Sequence, residues 1–242
     1  MFPIILQTSN FILYSYPLLM GLAWGVGYQI FLAHIEEEHR SRAQILFWGS
    51  FISAWLGAKI FFIITSGSSL SSEFLQSSSF WMGGGFVFYG GFLAGALFYL
   101  LFYLKFRFST QWIKWTVVSI CFAHAIGRLG CLLAGCCYGK VTQAWWGIYL
   151  HGHYRHPTQI LEALALVALG FILIRIKHIP LVLASYLAGY GLIRFMIEIL
   201  RGDLLRGSWA LDLTPSQWVS ILMVFSGVSM RIADRLLFAK TK

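Results

Sequence analysis

Five ionisable residues fall inside stretches that are otherwise apolar: Lys59, Arg128, Glu162, Arg194 and Glu198. A charge at the centre of a membrane helix costs about 2.5–3.5 kcal/mol on insertion scales, so such a residue needs a partner or a ligand. One alone is as readily a structural ion pair as a functional group. Five in one small bundle point to a polar cavity that binds something charged. The arginines bear on what that is, because the planar donor fork of guanidinium matches phosphate in bidentate fashion. In GYGLIRFMIEILRGD (189–203), Tyr190, Arg194, Glu198 and Arg201 follow one another at steps of four, four and three. That spacing puts them on one helix face. The face is either a self-neutralising charge ladder or a guanidinium stripe held by Glu198. With Arg128 on a second span, we expect the stripe, turned towards an anion near the outer leaflet.

Three other stretches carry candidate chemistry. HAIGRLGCLLAGCCYGK (124–140) holds Cys131, Cys136 and Cys137, with His124 upstream. The spacing is not the C-x2-C pair of a zinc or redox motif, and in an apolar span cysteine behaves as a small hydrophobe. We therefore expect no metal. WMGGGFVFYGGFLAG (81–95) sets Tyr89 between two groups of glycines. Such glycines weaken a helix but permit close backbone approach, usually that of another helix. A phenol at Tyr89 would face whatever approaches. In RHPTQILEAL (155–164), Pro157 suits the first turn of a helix, and Gln159 and Glu162 share one face. They either bind a ligand or hydrogen-bond to a neighbouring helix.

The elements that must position these groups follow from composition. The chain has 242 residues, 58% hydrophobic and only 11% charged, where a soluble domain carries about 25%. Seven apolar stretches are each long enough to cross a bilayer: 11–33, 44–65, 84–104, 115–136, 158–178, 180–200 and 215–237. The expected fold is all-α, a single polytopic domain of seven transmembrane helices around a polar cavity. Residues 1–28 contain no Lys or Arg, so the first apolar run reads as a retained helix, not a signal peptide. One side of the alternating topology receives Arg40, Arg42, Lys105, Arg107, Lys114, Arg175, Lys177, Arg231, Arg235, Lys240 and Lys242. The other receives Lys140, Arg155, Arg201 and Arg206. The positive-inside rule then puts the N-terminus outside and the C-terminus in the cytoplasm. The net charge of +9 is thus a topology signal and gives no support to nucleic-acid binding. The four cysteines make no disulfide framework. Residues 65–79 are serine-rich and read as a surface loop. Residues 140–157 mix Trp145, Trp146, Tyr149 and Tyr154 with His151, His153 and His156, as expected of a segment at headgroup level.

Taken together, these segments resemble the bacterial prolipoprotein diacylglyceryl transferases, in order and over most of the chain. SYPLLMGLAWGVGY (15–28) resembles the first-helix tyrosine motif of that family. LGAKIFFII (56–64) is similar to its Gly-(Gly/Ala)-Arg segment, with Lys59 in place of arginine. WMGGGFVFYGG (81–91) resembles its Gly-Gly-x-x-x-(His/Tyr)-Gly-Gly motif, and IGRLGCLLAGCCYGK (126–140) the signature around its essential arginine. RHPTQILEAL, GYGLIRFMIEILRGD and TPSQWVSI (214–221) resemble its later motifs. The resemblance implies a multi-pass enzyme of the bacterial cytoplasmic (inner) membrane, working towards the periplasm without a cofactor or metal. Its donor would be phosphatidylglycerol, and its acceptor the lipobox cysteine behind the signal peptide of a preprolipoprotein. The products would be a thioether and glycerol 1-phosphate. Arg128 and Arg194 match key arginines, assigned to binding the phosphate and stabilising its departure, with Tyr89 as the third catalytic candidate. Tyr16, Gly90, Gly91, Gly139, Tyr190, Glu198 and Arg201 match further functional positions; Lys59, Cys131, His156 and Gln159 complete the expected substrate-binding set. The chain departs from the family where Cys131 replaces a common asparagine and Cys136 a common glutamate. Many relatives also have histidine at the place of Tyr89. Tyrosine titrates near 10 and a free thiol near 8.5, so Tyr89 is a weak base for the acceptor unless a neighbouring arginine acts on it. Two other readings stay open: a related transferase with a different acceptor, and a non-enzymatic protein that binds or transports anionic lipid.

Overall fold

A backbone surrounded by lipid must satisfy its own hydrogen bonds, which leaves helices or closed barrels. This chain takes the first solution. The structure is a computed structural model that describes residues 2–8, 12–66, 75, 80, 87–202 and 210–240. Most of residues 65–79, read above as a surface loop, the glycines Gly83, Gly84 and Gly85, and Asp203, Arg206 and Lys242 lie outside the described residues. Seven long helices occur among those described: α1 (Ser15–Leu32), α2 (Arg40–Ser66), α3 (Phe88–Phe106), α4 (Gln111–Ala134), α5 (Thr158–Arg175), α6 (Ile179–Leu200) and α7 (Pro215–Lys240). The stretches Glu37–Ser66, Tyr89–Phe106, Gln111–Ala134, Thr158–Arg175 and Ile179–Leu200 are long and apolar enough to cross a membrane. The protein is an all-α polytopic membrane protein.

Several helix ends differ from the expected spans, each for a local reason. Ahead of α1, strands β1 (Ile4–Gln7) and β2 (Ile12–Tyr14) pair antiparallel, so the first helix starts at Ser15. Helix α4 stops at Ala134 because Gly135 turns left-handed, with φ of 74°. The Gly135 amide donates to the Leu132 carbonyl at 3.1 Å and the Cys136 amide to that of Cys131 at 3.0 Å. This paired arrangement is a Schellman end. Cys136 and Cys137 therefore lie beyond the helix. Helix α6 stops at Leu200, and Arg201 is extended, with φ of −71° and ψ of 145°.

The chain divides into two compact units. The first comprises residues 1–33 and 110–242. In it α1 packs on α4, α4 on α5 and α6, and α6 on both α5 and α7. Val117, Val118, Cys121, Leu169, Leu173 and Val182 form a shared core of α4, α5 and α6. Lys114 reaches from α4 to the end of α5, donating to the Ile174 and Ile176 carbonyls at 2.9 and 2.8 Å. Between α4 and α5, strands β3 (Ile148–Leu150) and β4 (His153–Arg155) make a short hairpin. Trp145, Tyr149 and Tyr154 are exposed there.

The second unit, residues 34–109, is built on α2 and α3. Gly49 faces Phe98, Gly57 faces Ala94, and Gly90 faces Phe61, so the two helices run antiparallel. Leu93, Leu97, Leu100, Leu101 and Leu104 on α3 are all more than half exposed. An apolar face of that extent is at home against lipid, not water.

Candidate active site

Glu162 is the centre of the polar cluster in the first unit. It stands one turn into α5, is 1% exposed, and accepts three hydrogen bonds from two other helices. Arg128 Nη2 of α4 donates to Oε1 at 2.8 Å, and the Tyr190 hydroxyl of α6 to the same oxygen at 3.1 Å. Arg194 Nη1 donates to Oε2 at 3.5 Å. Arg194 is further held by Glu198 one turn along α6, at 2.6 Å, and by Ser216 Oγ of α7, which accepts from its Nε at 2.9 Å. Thr214 Oγ1 in turn donates to Glu198 at 3.1 Å. The close fit of α6 to α7 makes this reach possible: a Cβ on Gly191 would meet the Ser220 carbonyl oxygen at 2.8 Å.

Two guanidiniums and two carboxylates balance in charge, but their hydrogen bonds do not balance. Arg194 is committed through Nε, Nη1 and Nη2. Arg128 is not: its Nε is buried with no hydrogen-bond partner. Leaving such a donor unsatisfied costs about 1–3 kcal/mol, more for a charged group, and an anion is its natural complement. Elsewhere in this unit, α1, α4 and α5 enclose a cleft of about 280 Å³ lined by apolar groups that include Val26, Ile126, Leu129, Ile160 and Val167.

The segment after α4 is fastened to α5 and to the end of α6. Gln159 Nε2 donates to the Cys136 carbonyl at 2.6 Å, and Thr158 Oγ1 to that of Cys137 at 2.8 Å. Gln159 therefore anchors this loop, a backbone segment and not the neighbouring helix that was one of the two expected partners. Cys137 takes a left-handed φ of 62°. The neighbouring Cys131 and Cys136 thiols and the Arg201 guanidinium hold its own thiol below the usual cysteine range. Gly139 bridges to Arg201, and the Lys140 amide donates to the Leu200 carbonyl at 2.8 Å. Arg201 is thus drawn into a backbone bridge and does not continue the α6 stripe, contrary to the helical spacing. Any side chain at Gly139 would overlap His156. The His156 ring accepts from Trp146 Nε1 at 3.3 Å. Tyr16 of α1 lies against Gly130, where an added Cβ would touch its ring at 3.4 Å.

The remaining expected residues belong to the second unit. Lys59 is 2% exposed, donates to the Phe80 carbonyl, and lies 4.3 Å from the Phe80 ring centroid. Gly90 and Gly91 are spent on the contact with α2, where a Cβ on Gly91 would meet the Ala54 carbonyl oxygen at 2.9 Å. Tyr89, just before them, is exposed.

Comparison with known proteins gives this arrangement a family. The model of the family described as prolipoprotein diacylglyceryl transferase matches residues 3–233. The chain belongs to that family. It is 34% identical to phosphatidylglycerol--prolipoprotein diacylglyceryl transferase 2 of Clostridium perfringens, over 93% of this chain and 92% of that protein. It is 30% identical to phosphatidylglycerol--prolipoprotein diacylglyceryl transferase of Clostridium tetani, over 83% of this chain and 82% of the relative. The protein of the same name from Lactococcus lactis subsp. cremoris is 32% identical, over 75% and 74%.

Within this member of the diacylglyceryl transferase family, two features of the site escape a linear reading. Ser216 and Thr214 brace Arg194 and Glu198; they lie in TPSQWVSI, a motif whose sequence does not say which side chains they hold. The three thiols of Cys131, Cys136 and Cys137 lie within 4.8 Å of one another, although their spacing is not that of a C-x2-C pair. The Gly135 helix stop was the one available clue.

Proposed function

We propose that this chain transfers the diacylglyceryl group of phosphatidylglycerol to the lipobox cysteine of preprolipoproteins, in the bacterial cytoplasmic membrane. All seven helices cross the bilayer, with the N-terminus outside and the C-terminus in the cytoplasm. Family membership supports the reaction, and the buried, unpartnered Nε of Arg128 is the observation that carries its placement. The lipid phosphate meets that donor, and the apolar cleft of the same unit suits an acyl chain.

The acceptor sulfur attacks the glyceryl carbon that bears the phosphate. A C–S bond forms, the C–O bond breaks, and its electron pair leaves on the phosphate oxygen. The released glycerol 1-phosphate accounts for the thiol proton. Arg128 stabilises the charge that grows on the departing oxygen, an effect of about 3–4 kcal/mol per donor in mutational examples. Glu162 aims Arg128, and Tyr190, Arg194, Glu198 and Ser216 hold Glu162 and its surroundings. Arg194 adds positive potential through this network. Gly139, His156, Gln159 and Arg201 hold the loop that follows α4.

The test supplies the purified full-length protein with phosphatidylglycerol and a lipobox peptide. A peptide mass gain of one diacylglyceryl group, with equimolar glycerol 1-phosphate, is the expected result. Lipid binding without phosphate release would favour a carrier. Release that requires another thiol or amine would favour a different acceptor.

A further inference from the structure

The sulfur atoms of Cys131, Cys136 and Cys137 all lie within 4.8 Å of one another, and none is in a disulfide. Their proximity is built by the backbone. The Schellman end at Gly135 folds Cys136 back over the last turn of α4, and the left-handed Cys137 turns the chain again. Helix α5 then fixes the turn, because Gln159 and Thr158, each 1% exposed, hold the carbonyls of Cys136 and Cys137. Burial grades from Cys131, which is buried, to Cys136, which is exposed, so an ion can reach the cluster from one side. Arg128 stands three residues before Cys131 on the same helix face and offers countercharge.

We propose that Cys131, Cys136 and Cys137 form a three-thiolate site for one soft divalent d10 cation of the zinc class. Zinc–sulfur bonds of about 2.3 Å in tetrahedral geometry set sulfurs about 3.8 Å apart. The cluster therefore closes around an ion if its sulfurs draw together by about 1 Å or less. On binding, each S–H bond gives its proton to water and its electron pair to the metal, so no oxidant or reductant is needed. Three protein ligands leave a fourth position for water or an external thiol. The site stands independently of the transfer reaction, since it follows from the thiol geometry alone.

The experiment uses the reduced, chelator-treated full-length protein in detergent, with Cd²⁺ alone as the probe and no lipid. The expected result is a saturable thiolate-to-cadmium absorption band at one ion per chain, displaced by Zn²⁺. Cys136→Ser, at an exposed position, should weaken binding by at least about tenfold and reduce the band. Capping the accessible Cys136 thiol of the folded wild-type protein with a maleimide should do the same without any substitution. Absence of a saturable band would overturn the proposal. So would a band of the same strength and midpoint after both Cys136→Ser and maleimide capping.

Discussion

Replacing Glu162 with glutamine removes a negative charge that serves two guanidiniums while keeping the side chain's shape. Glu162→Gln leaves Arg128 without its carboxylate partner at 2.8 Å, whereas Arg194 keeps Glu198 at 2.6 Å. Breaking a buried ion pair from one side costs about 3–5 kcal/mol. The low end applies, about 3 kcal/mol, because the amide oxygen still accepts a hydrogen bond. On the scaling of soluble chains of 150–250 residues, that lowers Tm by about 6–12 °C. The missing charge also leaves a place that a lipid phosphate can fill. Saturating lipid at 100 times Kd stabilises the wild type by about 2.7 kcal/mol. Tenfold tighter binding to the variant would add about 1.4 kcal/mol. Thermal unfolding in neutral detergent, with phosphatidylglycerol or zwitterionic phosphatidylcholine added, reads both effects. Phosphatidylglycerol should raise the Tm of Glu162→Gln more than that of the wild type, and phosphatidylcholine should not. Equal shifts of the two proteins by phosphatidylglycerol would refute a phosphate meeting Arg128 beside Glu162.

Other substitutions probe the supports. Gly139→Ala drives a methyl group into His156 and opens the Gly139–Arg201 bridge; a loss of about 1–3 kcal/mol should appear in thermal unfolding, together with lower turnover. Ser216→Ala removes the partner of Arg194 Nε at 2.9 Å, and should cost about 1–3 kcal/mol and reduce turnover measured by glycerol phosphate release. Gly90→Ala places a Cβ 2.5 Å from the Gly57 carbonyl oxygen. Hydrogen exchange should then accelerate in α2 and α3, with the amides of α4 to α6 unchanged.

What could be read in the chain is what lipid forces into view. Arg128, Glu162 and Arg194 stand out because charge in an apolar helix demands a reason, and the structure joins all three. Which carboxylate meets which arginine was not legible, since Glu162 reaches Arg128 across 34 positions of chain. Arg201 misled the helical count. The bridge to Gly139 takes the backbone off α6 at Leu200, one residue before the stripe would continue. The glycine run around Gly90 was readable as a helix contact, and α2 fills it. The thiol cluster was hidden because it depends on two left-handed residues, Gly135 and Cys137, that no side-chain spacing encodes.

Turnover of Arg128→Ala tests the central claim most directly. The assay measures glycerol 1-phosphate and diacylglyceryl-peptide formed from phosphatidylglycerol, with circular dichroism verifying that the helices persist. Loss of about 3–4 kcal/mol of charge stabilisation predicts a fall of roughly 10²–10³-fold in rate, with the fold intact. A folded Arg128→Ala protein that turns over within about tenfold of the wild type would contradict the assignment.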